Sequence, residues 1–456
     1  MTPECPTSRV LAVLLIAIHL QALDYKISGR VGSFSRIGFN NAPINTDKGL
    51  YPTGSYVTTI GALEVNANLL PKSVENQKLE VGLGGEIGGL AYDSTKGLKD
   101  QNGAYAPANW YYMGRWEGYL MNAPWRHVRA EDESHAKNYI LYNAYLSYTY
   151  KDIFGIKAGR YLSPEALFLR GYNQGFSAFV RFNHFKLTWF STYGRGLANI
   201  QFIRDFYAPV SYAFQDGRRV NYGMHAVRLA YTTKHYTIMP FFWFYPKNFN
   251  APGIQLSAVF DTGQFKIQSD AYAWFPIYSH ALAKTYYRGN LIGTATATLL
   301  VRQRLYYKNY FVGWGVYKNF GNSNAQLGWN GSPVSFDTTD DTPYEDAYTN
   351  LYDANALTLH ARVGGKFDKF SWYLLGKLTF APRANAQSLG VTCEYNLGKH
   401  IHLMLRLNGY EVMMHRGYKV AYFGAPNPKF APTTQDRSYL MTSISYDLEI
   451  WKRLQE

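Results

Sequence analysis

Two cysteines, Cys5 and Cys393, are all that the 456 residues contain. Cys5 falls in a stretch that reads as a removable leader, so no intramolecular disulfide is possible in the mature chain. Charge is also sparse. Asp, Glu, Lys and Arg make up 17% of the residues, against about 25% in an average soluble domain. Apart from the run Val10–Leu20, no segment approaches the roughly 18 apolar residues of a spanning helix, and mean hydropathy is −0.27. There is no G-x-S-x-G elbow, no H-E-x-x-H and no G-x-x-x-x-G-K. These absences exclude a disulfide scaffold, a helical membrane protein and the enzyme classes those motifs mark.

What is plentiful is tyrosine, at 40 residues, within 17% aromatic content. Abundant tyrosine, glycine and threonine point to many half-buried strands. Residues 1–22 read as a signal peptide: Arg9, then the apolar run, then a small residue at Ala22. Residues 23–456 form the second unit, a single domain. From Asp24 the sequence alternates for most of its length. In Leu357–Phe367, Leu357, Leu359, Ala361 and Val363 share one face, while Thr358, His360, Arg362 and Lys366 share the other. Trp372–Phe380, Leu389–Leu397 and Ile401–Asn408 repeat the pattern. A period of two means that one face meets an apolar medium and the other meets water.

Connection lengths decide which medium. Very short connections, such as Asp152–Phe154, Asn183-His184 and Gly398–His400, alternate strictly with long ones such as Ala91–Asn138, Tyr193–Gly223 and Gly321–Asp353. Short turns at one rim and long loops at the other mark an outer-membrane barrel. Lipid requires closure, because an open edge leaves backbone groups unpaired. The expected fold is therefore all-β: a transmembrane antiparallel barrel of about 18 strands, with short periplasmic turns and long external loops. Tyr148, Tyr150, Tyr306, Tyr307, Tyr310, Phe241, Phe242, Trp243 and Tyr245 cluster towards strand ends, where girdles of amphipathic rings are expected.

By the same parity the lumen receives Arg181, Lys186, Arg228, Lys266, Arg302, Arg304, Arg362, Lys366, Lys377 and Arg406, against Glu64, Glu80, Glu86, Asp270 and Glu394. Dispersed cations along a wet passage lower the energy of anions at successive weak sites. The plainer alternative is that these charges only solvate a lumen that must be polar. The net charge of +14 is scattered rather than gathered in a patch, which argues against nucleic acid. Contact with acidic lipid headgroups suits an exported chain better. His400-x-His402 spans a turn with no third ligand and reads as structural. Cys393 falls on the lipid face as a small hydrophobe. The loop 321–353 carries Asp337, Asp340, Asp341, Glu345, Asp346 and Asp353 without the calcium-loop spacing, so it reads as solvated.

One segment breaks the alternation. Tyr161–Gly175 reads Y-L-S-P-E-A-L-F-L-R-G-Y-N-Q-G, largely apolar with one acid, Glu165, and one base, Arg170. It falls at the third long-side connection. Packing of Leu167, Phe168 and Leu169 on the inner wall leaves Glu165 and Arg170 facing the opening; an external loop of no consequence is the rival reading.

Ile156–Phe179 (I-K-A-G-R-Y-L-S-P-E-A-L-F-L-R-G-Y-N-Q-G-F-S-A-F) resembles the corresponding part of the OprD-type porins. The opening D-Y-K-I-S-G-R-V-G-S-F is similar to the Hof-type outer-membrane family of Helicobacter and its relatives. The resemblance implies an 18-stranded barrel whose third external loop folds inward and whose lumen carries a ladder of arginines. It places Glu165 and Arg170 at the eyelet and Arg160, Arg181 and Arg228 on the ladder. Parity sets Arg160 with Ile156 and Ala158 on the lipid side, so a bulge is needed to turn it inward. The end departs from the pattern, since Trp451-Lys-Arg-Leu-Gln-Glu follows the last alternating residues. The resulting expectation is a porin in the outer membrane of a Gram-negative bacterium, passing small polar solutes and favouring anions or carboxylates, with no cofactor, metal or catalysis. Its partners are outer-membrane lipid and lipopolysaccharide, and monomer and homotrimer both remain open. The alternative is an adhesin or structural protein acting through its long loops. A membrane phospholipase would need a lipid-facing or rim Ser–His pair, and none is identified.

Overall fold

The computed structural model describes residues 24–71, 74–94, 98–103, 138–163, 171–207, 212–213, 218–325, 351–420, 422 and 424–453. The leader expected at 1–22 lies outside them. Eighteen strands make one closed antiparallel wall. The first nine are β1 Asp24–Gly38, β2 Tyr56–Asn68, β3 Gln77–Asp93, β4 Tyr139–Tyr150, β5 Phe154–Leu162, β6 Tyr172–Phe182, β7 Phe185–Asn199, β8 Met224–Thr232 and β9 Tyr236–Tyr245. The second nine are β10 Phe249–Asp261, β11 Phe265–Trp274, β12 Ala297–Tyr307, β13 Tyr310–Phe320, β14 Leu357–Lys366, β15 Phe370–Phe380, β16 Ala384–Leu397, β17 Ile401–Met414 and β18 Tyr439–Arg453. Each pairs with its neighbours in sequence. β18 closes on β1 from Gly38↔Tyr439 to Tyr25↔Arg453, so the irregular tail is absorbed as far as Arg453. Among the described residues no helix is long and apolar enough to cross a membrane, and the chain crosses with strands.

Exposure is inverted relative to a soluble protein. On β14, Leu359 and Val363 are 40% and 42% exposed, while Thr358 and His360 are 0% and 5%. The apolar side chains meet lipid and the polar ones meet the lumen. A belt of exposed rings marks the rim with short turns: Tyr150, Phe154, Phe182, Phe185, Tyr236 and Phe260. The girdle expected on β9 is corrected. Phe241, Trp243 and Tyr245 are 5%, 0% and 2% exposed and point inward; Phe242, one residue out of step, is the lipid-facing one. Those inward rings pack against Tyr278, Tyr287 and Ile292 of the connection 275–296, which folds back into the barrel.

The connections at the inner rim span two or three residues apart from 69–76, and Asn183 and Lys308 supply the left-handed backbone that two-residue turns need (φ 51° and 50°). At the outer rim the alternation of short with long is not strict, because 246–248 and 381–383 span three residues each. Both lie under their neighbours. Ser279 N donates to Asn248 O at 2.7 Å, and His415 N donates to Arg383 O at 2.9 Å. Asp353 is not solvated either. It is fully buried between Arg288 (3.2 Å) and Arg383 (3.4 Å), tying three outer connections together. Burial lowers the pKa of the Arg383 guanidinium, with Asp353 opposing that effect.

Candidate functional site

The lumen is built from two features: an inward hairpin on one side and a basic wall on the other. The hairpin continues β7 past the wall and returns as the short strand Phe202–Tyr207, with Ala198↔Ile203 in register. β7 pairs in the wall only with β6 and β8, so contacts from this hairpin to β1–β3 must run across the interior. Such contacts exist. Thr58 Oγ1 donates to Ile200 O at 2.7 Å. Leu197 and Ile203, 6% and 0% exposed, pack with Phe34, Tyr56, Ile60, Ile140 and Tyr142. Gly32 and Gly88 make room, since a Cβ at either would meet Ile200 or Ile203. The hairpin narrows the passage, and it belongs to the fourth outer connection. The third, with Glu165 and Arg170, spans 164–170 and lies outside the described residues.

The bulge that Arg160 was expected to need is not found on β5: Gly159, at φ 122°, stays in register with Tyr145 and Gly175, and Tyr161 is buried while Leu162 is exposed, as the unbroken alternation requires. Arg160 donates from Nε to Gln174 at 2.9 Å, and its guanidinium lies 4.4 Å from the ring centre of Phe206 on the hairpin. At the short-turn end of β6 and β7, Arg181 and Lys186 are register partners, and Lys186 lies 4.4 Å above Phe179. Arg228 is opposite Phe241 on the inner face.

The basic wall runs over β11–β17. Lys266 is opposite Tyr306. Arg302 is matched by Asp270 at 2.9 Å, both largely buried. Arg304 and Arg362 both face Gly313 of β13, from either side. A Cβ at Gly313 would come within 3.3 Å of Arg304 Cγ, so the glycine gives the long cation space to lie across the wall. The segment Val312–Val316 thus alternates apolar outward with glycine inward. Arg304, Lys308, Arg362 and Lys366 share a pocket of about 380 Å³ with Tyr306, Tyr310 and Phe311, and no acid lines it. Arg362 lies 3.9 Å over the ring of Tyr373. Arg406 donates to the Tyr373 hydroxyl and, at 2.9 Å, to Thr392 Oγ1. Lys377 is 5% exposed, 5.8 Å from the Tyr410 ring.

Carboxylates gather elsewhere. Glu64 accepts from Tyr142 at 3.0 Å, Glu86 lines the same 480 Å³ pocket with Arg30 and Asp447, and Glu449 joins them. Arg30 pairs with Asp447 at 2.7 Å. β2 and β3 lie nine strands from β11 and β12 in a wall of eighteen, so Glu64 and Glu86 face that part of the basic wall across the lumen, while Asp447 and Glu449 sit on β18 beside its other end. Sequence parity listed the cations with Glu64 and Glu86, but not Arg30, Asp447 or Glu449, and it gave no grouping. One signal for it was available: residues 217–336 hold twelve Lys and Arg against Asp261 and Asp270, which is ten of the net +14.

His400 and His402 are engaged by Asp447 and Asn396, and among the described residues no group of three metal-ligating side chains occurs. A Ser–His pair does exist. Ser191 Oγ lies 2.8 Å from His225 Nδ1 and accepts from Trp189 Nε1 at 2.8 Å. Ser191 is 1% exposed, and a nucleophile must reach its substrate, so the pair reads as a hydrogen-bonded part of the wall.

The family model described as "Putative outer membrane protein" matches residues 10–448. The chain belongs to this outer membrane protein family. The barrel therefore sits in the outer membrane of a Gram-negative cell. Solved structures of the same fold include OccK9 (OpdG) of Pseudomonas aeruginosa, with a TM-score of 0.62, 12% identity, and 94% and 99% of the two chains covered. OccAB1 of Acinetobacter baumannii has a TM-score of 0.61 at 9% identity over 94% and 97%. OpdK of Pseudomonas aeruginosa, crystallised with vanillate, has 0.59 at 12% over 94% and 99%. No curated protein sequence matches the chain. For this family member, as for those barrels, 18 strands are enough to leave an aqueous passage.

Proposed function

We propose that the protein is a porin for passive diffusion of small polar solutes, and that it favours anions and carboxylates. The observation that carries this reading is the inner face of β12–β17, where Arg304, Arg362, Lys366 and Arg406 succeed one another, with Gly313 opposite the first two. Cations spread along a low-dielectric wall attract anions without holding any of them tightly, which is what conduction requires. Vanillate, found in OpdK, is a carboxylate and belongs to the class such a wall attracts. Passive diffusion needs no covalent step. Export through a cleaved leader at residues 1–22 is part of the reading.

Planar bilayers test it. The purified chain is expected to give discrete conductance steps and an anion-selective reversal potential under a salt gradient. Arg362→Gln and Arg406→Gln together are expected to lower the chloride-to-potassium permeability ratio by about 3-fold or more. An unchanged ratio contradicts the basic-wall reading, and no conductance at all contradicts the porin. Arg170→Ala asks the same of the third connection: a change in reversal potential places it in the passage.

A further inference from the structure

We infer that Lys151 and Lys308 each hold the phosphate of an acidic phospholipid in the periplasmic leaflet, one lipid at either lysine. Both lie on the outer flank of the barrel, so the inference stands whatever the passage carries. The lysines directly follow the last residues of β4 and β12, in the steps Tyr150-Lys151 and Tyr307-Lys308. Both adopt left-handed backbone, at φ 46° and 50°. Asparagine takes that conformation at less cost than lysine, and it does so in the turn at Asn183, φ 51°. Turn geometry alone therefore does not call for lysine at either place.

Each ammonium bends back over the tyrosine before it. Lys151 Nζ lies 5.6 Å from the centre of the Tyr150 ring, and Lys308 Nζ lies 5.3 Å from that of Tyr307. Both rings face lipid, at 39% and 41% exposed. The charges thus sit on the flank of the wall, level with the aromatic belt. Among the described residues neither ammonium has an ion pair, although Asp152 follows Lys151 in sequence. Further exposed rings complete each place. Phe154 is the register partner of Tyr150, and Phe265 stacks on Tyr307 at 4.8 Å with Tyr310 on the other side. Amphipathic rings of this kind lie at headgroup level, where the phosphodiester of a lipid carries its charge. Lysine binds phosphate as a point charge. The eight short connections together carry six lysines against Glu75, Asp152 and Asp368, so the rim favours an anionic headgroup over a zwitterionic one. Peptidoglycan is the other anionic neighbour of this rim, but lysines that reach for it would point away from the lipid-facing rings.

Native mass spectrometry of the full chain in detergent, with phosphatidylglycerol or phosphatidylcholine added, tests this. Phosphatidylglycerol is expected to bind about 3-fold or more tightly than phosphatidylcholine. Lys151→Asn and Lys308→Asn together, which keep the left-handed backbone, are expected to lower that preference to about 1.5-fold or less. Lys234→Asn removes a rim charge that covers no ring among the described residues, and it is expected to lower the preference by less. Equal binding of the two lipids by the parent chain overturns the inference. So does a preference that survives the double substitution, or one that Lys234→Asn removes as fully. Sedimentation with purified peptidoglycan provides the other arm: binding that the double variant loses, while its lipid preference is unchanged, assigns the lysines to the cell wall and overturns the inference as well.

Discussion

An inward arginine needs space as well as water, and here inward glycines supply it. Gly313 faces both Arg304 and Arg362, and Gly315 would meet the His360 ring if it carried a Cβ. Without those glycines the long cations would have to stand into the lumen rather than lie along the wall. A Cβ at Gly364 would meet Trp372 O and the Phe311 ring, so Gly364→Ala is expected to cost about 1–3 kcal/mol, as overpacking does, measured as a lower midpoint of unfolding in detergent with urea. Which residues face the lumen was legible from parity alone, because lipid enforces a strict period of two on β14–β17. Arg160 was not: it keeps its register on β5 and meets Phe206 of the hairpin, a contact between separate segments that leaves no signature in hydrophobic pattern. The inward rings Phe241, Trp243 and Tyr245 were misread for a related reason. β9 is aromatic on both faces, so its sequence offers no contrast between lipid and the folded-back connection 275–296.

Among the elements, the hairpin after β7 and the tied outer connections shape the passage from opposite sides. The hairpin is held by apolar burial of Leu197 and Ile203 and by the bond from Thr58. Ile203→Asp puts a charge into that cluster and is expected to release the hairpin, raising single-channel conductance by roughly 1.5-fold or more as the constriction widens. Conductance at the wild-type level would show that the hairpin does not set the narrowest point. The connections 275–296, 321–356 and 381–383 meet at Asp353, which is paired with Arg288 and Arg383. Asp353→Asn leaves two buried guanidiniums without their anion and is expected to destabilise by about 3–5 kcal/mol. Limited proteolysis should then cut these connections faster than in the parent chain. Neither device could be read from the sequence. The hairpin falls inside Tyr193–Gly223, which reads as one more long connection, and Asp353 reads as one more acid in an acidic loop, because burial by a distant segment leaves no local trace.

At the scale of the whole molecule, closure carries the account. The count of about 18 strands was legible, since turns at one rim are short and regular and each strand must span the same thickness of lipid. Charge grouping emerged only with the ring order. Strands β8–β13 together with their connections, residues 217–336, carry ten of the net +14 charges, and the acids of β2, β3 and β18 face those strands. Such a lumen sets a field across the passage as well as along it. Screening limits its reach, so selectivity is expected to weaken as salt rises from 0.1 M to 1 M, where the Debye length falls from about 10 Å to about 3 Å.

The most direct measurement is the zero-current potential of the purified protein in a planar bilayer under a potassium chloride gradient. The account predicts discrete conductance steps and a potential of the sign set by chloride passing more readily than potassium. A bilayer without conductance steps, or a potential of the opposite sign, contradicts it.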